Sequence, residues 1–211
     1  VSAGEPEVAA AVAAAVAALR AGELVVFPTE TLYGVGCDAL NPAALDRLRA
    51  VKQRGADKGV AVIVADLAML DLLSDRVSPR VRALADAFWP GPLTILLPAR
   101  PDLPAPIVLD GAVAARVSSH PLARRLAQEL GRPLASPSAN PGGREPARDV
   151  AAARAYFGSD VACYIDDGPI AGAPSTLVDP GPPLRVLREG AIARSAIEDV
   201  LRRHQHTDPD I

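Results

Sequence analysis

The residue types best suited to chemistry gather in Leu24–Asp38, LVVFPTETLYGVGCD, and in Lys52-Gln53-Arg54 a short helix later. A hydrophobic strand ends at Pro28 and delivers Thr29, Glu30, Thr31, Tyr33 and two glycines, which places polar groups at the mouth of a buried element. Lys52 and Arg54 supply cations suited to phosphate or carboxylate, Lys as a compact charge and Arg as a planar fork. Both could equally cap the C-terminus of the helix before them, where cations complement the dipole. Arg116 and Arg188 close two later strands, and four cations at element ends can converge on one polyanion. Ser136, Ser138 and Asn140 alternate in SPSAN, so an extended chain would turn them to one face, although Ser, Pro and Asn also build ordinary turns. Ser175-Thr176 at a strand start is a weaker signal of the same kind.

Several familiar sites are missing. No GxxxxGK[ST] loop occurs, which excludes a P-loop nucleotide site, and Gly34-Val35-Gly36 lacks the third glycine of a dinucleotide fingerprint. His120, His204 and His206 have no metal-ligand spacing, and His120 before Pro121 reads as a helix cap. No serine nucleophile elbow is present. Cations, hydroxyls and amides without a nucleophile suit the positioning and charge neutralisation of reacting ligands better than covalent catalysis. These residues point to a phosphate-handling α/β enzyme.

Such groups need a frame. The chain has 211 residues, enough for one large domain with a real core. Aromatics make up only 3%, so Ala, Val and Leu must fill that core, and 21 prolines and 16 glycines imply short elements and many turns. A net charge of −3 gives no global field toward nucleic acid or an anionic membrane. Cys37 and Cys163 make neither a disulfide framework nor a metal motif, which points to a reducing, cytoplasmic setting. Val8, Val12, Val16 and Leu19 form one stripe of a helix over 5–21. With Glu5 and Glu7 ahead of it and too short an apolar run to span a bilayer, it is a packing helix rather than a signal peptide or anchor. The chain begins with Val rather than Met, so a few upstream residues are expected in the natural protein.

Strand 24–27 follows, then a helix opened by Asn41-Pro42 and ending at Lys52. Val60–Val64 reads as a second buried strand, helices over 66–73 and 79–88 come next, and Trp89-Pro90-Gly91-Pro92 must turn. Strands 94–97 and 113–117, a helix over 121–130, an extended stretch 134–140 and a helix over 149–156 continue the chain. Strands 162–166, 175–179 and 184–188 and a helix over 194–204 complete one domain over 1–204, leaving 205–211 as a polar tail. The short turns between late strands predict an α/β fold with a twisted sheet of mixed parallel and antiparallel strands flanked by helices.

PTETLYGVG (28–36), KQRGADKG (52–59), WPGPLT (89–94), Arg116 ahead of Ser118-Ser119-His120-Pro121, SPSAN (136–140), PSTLVD (174–179) and LREG (187–190) stand in a familiar order. In these motifs the chain resembles YrdC-like threonylcarbamoyl-AMP synthases, in their short single-domain bacterial form, over about residues 10–200. Each motif alone is weak, and their order and spacing make the signal specific.

The resemblance implies a nucleotidyltransferase that makes threonylcarbamoyl-AMP and pyrophosphate from L-threonine, bicarbonate and ATP, the first step toward the t6A modification at position 37 of tRNA. It further implies a sheet curved around a deep basic cavity, ATP with Mg2+ as substrate, no tightly bound cofactor and no metal site of the protein's own. A tRNA threonylcarbamoyl transferase complex would take the product, and weak binding of tRNA is a further expectation. Thr31, Arg116, Ser136 and Ser175 match positions that hold threonine. Lys52, Arg54, Ser138, Asn140 and Arg188 match positions around the nucleotide, with Lys52 and Arg54 as the catalytic pair, and replacing either by Ala should cost adenylate formation more than folding. Relative to longer relatives, a histidine falls at Ile63, a threonine at Ala112 and a nucleotide-side hydroxyl at Pro146, and Gly59-Val60 replaces a frequent Pro-Leu. Two other readings stay open. One is a non-catalytic module for structured RNA, opposed by the acidic charge and the few aromatics available for stacking. The other is a paralogue acting on another carbamoyl-adenylate.

Overall fold

Alternate residues of its central strands divide this protein between a core and a cavity. The computed structural model describes residues 5–53 and 59–207. Strands β4 (Leu93–Pro98), β6 (Ala112–Arg116) and β9 (Thr176–Asp179) lie side by side, β4 antiparallel to β6 and parallel to β9. Leu93, Ile95, Val113, Ala115 and Val178 enter the main hydrophobic core, while Thr94, Ala114, Arg116 and Leu177 face the cavity. That alternation is the two-residue period of a pleated strand. Strand β10 (Arg185–Arg188) extends the sheet beyond β9, and β3 (Val62–Ile63) and β7 (Leu134–Ala135) extend it beyond β6, with β5 (Val108–Leu109) also pairing β6.

A smaller sheet has β1 (Val25–Phe27) at its centre, antiparallel to β2 (Gly34–Gly36) and parallel to β8 (Cys163–Tyr164). Isolated bridges Gly34↔Ser138 and Asp38↔Leu134 tie the two sheets together along the SPSAN segment. The sheet is therefore mixed and flanked by helices, as the sequence predicts.

The helices begin where capping chemistry says they should. Asn41 caps α2 (Pro42–Lys52), Ser78 caps α3 (Pro79–Phe88) and Asp149 caps α5 (Val150–Phe157), each side chain accepting a backbone N–H from the first turn. His120 caps α4 (Pro121–Leu130) through its ring nitrogen, and Gly131 ends it in the left-handed region. Helix α1 (Glu5–Arg20) buries Val12, Ala15, Val16 and Leu19 in a second core cluster with Leu122, Leu126 and Leu130 of α4.

Local structure departs from expectation at four places. The stretch 60–64 pairs as a strand only at Val62–Ile63, and 66–73 contains a 3-10 turn, Ala68–Leu72, rather than an α-helix. That segment is too short to repay α-nucleation, and Asp66 fixes its start by accepting from the Met69 N–H. Gly34–Gly36, to which the sequence assigns no element, is a strand antiparallel to β1, and it passes so close to β7 that a Cβ on Gly36 would stand 1.9 Å from the Ala135 carbonyl oxygen. The last helix, α6 (Arg194–Thr207), runs past the expected end at 204 and into the stretch read as a tail.

Candidate active site

Six of the nine candidate residues share one cavity. Thr31, Arg116, Ser136, Ser138, Ser175 and Arg188 line a space of about 380 Å3, together with Thr29, Tyr33, Thr94 and Pro146. Residues that lie far apart in sequence meet here because β6, β9, β10, the loop after β1 and the SPSAN segment all end on its walls.

The first wall is built by the PTET turn. Thr29 Oγ1 donates to the Leu32 carbonyl at 2.6 Å and accepts from the N–H groups of Thr31 and Leu32, a side chain replacing backbone pairing in a tight loop. This fixes Thr31, 5% exposed, beside Arg116. Arg116 is 7% exposed, and its Nη1 donates to Glu30 Oε1 at 2.9 Å. Ser118 Oγ donates to the other oxygen of Glu30. Burial lowers the Arg116 pKa, Glu30 opposes that shift and Arg188 adds to it. The group stays a cation at neutral pH. Its Nε and Nη2 have no hydrogen-bond partner among the described residues, so one edge of the guanidinium fork is available to a carboxylate.

The second wall is SPSAN. Ser136 Oγ is buried without a hydrogen-bond partner. A buried hydroxyl without a partner costs stability unless something completes it, and here the cavity is what it adjoins. Ser138 Oγ donates to Asn140 Oδ1 at 2.6 Å. The Asn140 amide nitrogen donates to the carbonyls of Pro141 and Arg144, so Asn140 braces the loop and does not line the cavity.

Lys52 likewise stands outside the cavity lining. It is 4% exposed at the end of α2, and its Nζ donates to the carbonyls of Ser138 at 2.5 Å and Asn140 at 2.7 Å. The Gly142 N–H returns a bond to the Lys52 carbonyl at 2.8 Å, so α2 and the SPSAN loop are clasped from both sides. Its charge lies directly behind Ser138. Arg54 falls outside the described residues.

The third wall is Ser175 with Arg188. Ser175 is 8% exposed, accepts from Arg188 Nη2 at 3.0 Å through its hydroxyl, and accepts from Arg188 Nε at 3.0 Å through its carbonyl. The chain returns from β10 so tightly that a Cβ on Gly190 would lie 2.1 Å from the Pro174 carbonyl oxygen. An adjoining, more apolar chamber of about 500 Å3 continues along the sheet past Leu96, Leu109 and Leu187 and shares Gly59, Ala114 and Leu177 with the first.

A family model named Sua5/YciO/YrdC, described as Telomere recombination, matches residues 17–190. The chain belongs to this family. The threonylcarbamoyl-AMP synthase of Chromohalobacter salexigens is 43% identical to it over 179 residues, 82% of this chain and 94% of that protein. The Bacillus subtilis threonylcarbamoyl-AMP synthase is 36% identical over 194 residues, 90% of this chain and 56% of that one. Among solved structures, Pyrococcus abyssi Sua5 complexed with L-threonine is similar with a TM-score of 0.86 at 34% identity, over 90% of this chain and 57% of that one. Escherichia coli YciO is similar with a TM-score of 0.77 at 26% identity, over 86% and 90%. The chain thus spans a little over half the length of the Bacillus and Pyrococcus proteins.

Within this Sua5/YciO/YrdC domain the three departures fall in different settings. Ile63 is fully buried in the core cluster shared with α1 and α4, Pro146 lines the cavity, and Ala112 lines the adjoining chamber. Glu30 and Tyr33, placed by the sequence at the mouth of the first strand but without a role, and Thr94, inside a quoted motif, are also part of the site. Tyr33, pushed up to about 12 by burial, donates to the Gly168 carbonyl at 2.7 Å and accepts from the Asp167 N–H, which holds the loop after β8 against the cavity.

Proposed function

We propose that this chain is an L-threonylcarbamoyladenylate synthase, a nucleotidyltransferase that joins L-threonine, bicarbonate and ATP into threonylcarbamoyl-AMP and releases pyrophosphate. The observation that carries the proposal is Arg116, a buried cation with one open edge facing a cavity walled by hydroxyls. That site occurs in a chain whose relatives are named for this activity.

Arg116 takes the threonine carboxylate through Nε and Nη2, while Glu30 holds Nη1 from behind. Ser136 and Ser175 offer hydroxyls to the amino acid, and Thr31 closes the pocket beside them. The threonine amine combines with bicarbonate to give an N-carboxylate and water. An oxygen of that carboxylate then attacks the α-phosphorus of ATP, and pyrophosphate leaves. No protein nucleophile is required, in keeping with the residue inventory.

On the nucleotide side, Ser138 and Arg188 are the proposed direct contacts, Asn140 orients the Ser138 hydroxyl, and Lys52 and Arg54 are the proposed catalytic cations. Arg188 faces the cavity directly, and Lys52 acts with its charge behind Ser138. Preorganised cations of this kind stabilise charge that develops at phosphorus. ATP brings Mg2+ with its triphosphate, and the adenosine extends toward the apolar adjoining chamber. The product passes to a tRNA threonylcarbamoyl transferase complex, with weak tRNA contact at most, in the cytoplasm. Among the described residues no helix is long and apolar enough to cross a membrane.

The test is pyrophosphate release from ATP with threonine and bicarbonate omitted in turn. Release that needs both supports the proposal. Release that needs carbamoyl phosphate instead assigns the chain to another carbamoyl-adenylate. No release, together with tight binding of structured RNA, assigns it to a binding module.

A further inference from the structure

The motif WPGPLT (89–94) has no part in the reaction as written above, yet it delivers Thr94 to the cavity. Thr94 is 2% exposed, and its Oγ1 lies 2.9 Å from Ser175 Oγ, its only hydrogen-bond partner among the described residues. Arg188 Nη2 donates to that same Ser175 oxygen at 3.0 Å. We propose that Thr94 is a positioning residue, whose hydroxyl donates to Ser175 and thereby turns the Ser175 proton toward an acceptor oxygen of the bound amino-acid substrate.

The assignment follows from counting protons. A serine hydroxyl has one proton and two lone pairs, and a guanidinium can only donate. Arg188 therefore takes one lone pair of Ser175. If Ser175 donated to Thr94, the spare proton would sit on Thr94, the more deeply buried residue at 2% against 8% exposed, and Ser175 would offer an anionic substrate only a lone pair. If Thr94 donates, both lone pairs of Ser175 are engaged and its proton is what remains for the ligand. With a carboxylate bound, this arrangement satisfies every group and presents the donor from the more exposed of the two hydroxyl residues.

The rest of the motif holds this geometry. Trp89 Nε1 donates to the Leu93 carbonyl at 2.7 Å, and the Gly91 N–H donates to the Val117 carbonyl at 2.8 Å. The Thr176 N–H bonds to the Pro92 carbonyl at 3.0 Å, and Thr94 stands opposite Leu177 in the parallel β4–β9 pair. The turn before β4 is thus locked to the strand that follows Ser175.

This inference rests on the synthase reading, and its test separates the two. Thr94→Val keeps the shape and removes the hydroxyl, and Thr94→Ser keeps the hydroxyl. In the full chain, Thr94→Val should raise the threonine KM about tenfold, the loss of one directed hydrogen bond to a ligand. The kcat should stay within about twofold, and Thr94→Ser should remain near wild type. Threonine Kd from calorimetry should follow KM, and adding Thr94→Val to Ser175→Ala should change nothing further. A purely structural Thr94 would lower the melting temperature and add its effect to that of Ser175→Ala.

A folded Thr94→Val with unchanged KM and Kd, or with a full additional loss in the Ser175→Ala background, overturns the inference. Thr94→Ala carries the same expectations should Thr94→Val not fold. A wild-type chain that binds threonine but releases no pyrophosphate fails the synthase reading alone, and calorimetry then decides the role of Thr94. A chain that does not bind threonine ends both.

Discussion

Ser136 keeps a buried hydroxyl with no partner, which ordinarily weakens a fold by about 1–3 kcal/mol. Replacing it by Ala removes that cost, so Ser136→Ala should melt at the wild-type temperature or above it. The same change should raise the threonine KM several-fold, because the unpartnered hydroxyl belongs to the wall of the proposed threonine site. Thermal melts and steady-state kinetics on one preparation check both, and a drop in stability with unchanged KM would make Ser136 a structural residue. Arg116→Lys keeps a charge but loses the fork held by Glu30, so threonine binding should weaken by tenfold or more, on the order of one charge-assisted hydrogen bond.

At the scale of elements, the clasp between α2 and the SPSAN loop changes what Lys52 is expected to do. Sequence reasoning predicts that Lys52→Ala costs adenylate formation more than folding. In the structure its Nζ completes two carbonyls in a nearly closed setting, so the variant should also lose about 1–3 kcal/mol of stability in urea unfolding. An unchanged midpoint would contradict the clasp. Local order was legible in the sequence wherever its cause was local: the caps Asn41 and His120 mark real helix starts. Strand β2 was not: it pairs with β1, but its glycines, which hide the strand pattern, answer a close approach to β7, a hundred residues away along the chain. The alternation in SPSAN correctly brought Ser136 and Ser138 to one wall, but Asn140 folds back on its own loop through Pro141 and Arg144, which spacing alone does not reveal. The two arginines at strand ends converge as read. Glu30, which holds Arg116, and Thr94, which holds the Ser175 hydroxyl bonded by Arg188, depend on tertiary contacts and so became visible only in three dimensions.

For the whole molecule, an Ala/Val/Leu core with few aromatics still closes tightly enough to bury Cys37 completely. Burial, with Asp38 acting in the same direction and Arg47 against it, pushes the Cys37 thiol from 9.0 up to about 12. The unfolded chain therefore gives up this proton from about pH 9 while the folded chain holds it. The contribution to stability is complete below pH 9 and is lost as pH rises toward 12. Urea midpoints should fall from pH 8 to about pH 10.5, and Cys37→Ala should flatten that slope, whereas an identical slope would place the thiol in contact with water. The same closed body brings the proposed amino-acid pocket and the apolar chamber together along one sheet. The most direct measurement is mass spectrometry of the wild-type reaction with ATP, Mg2+, L-threonine and isotopically labelled bicarbonate. Threonylcarbamoyl-AMP carrying the label in its carbamoyl carbon is the expected product, and a folded enzyme that yields no such adenylate would contradict the account.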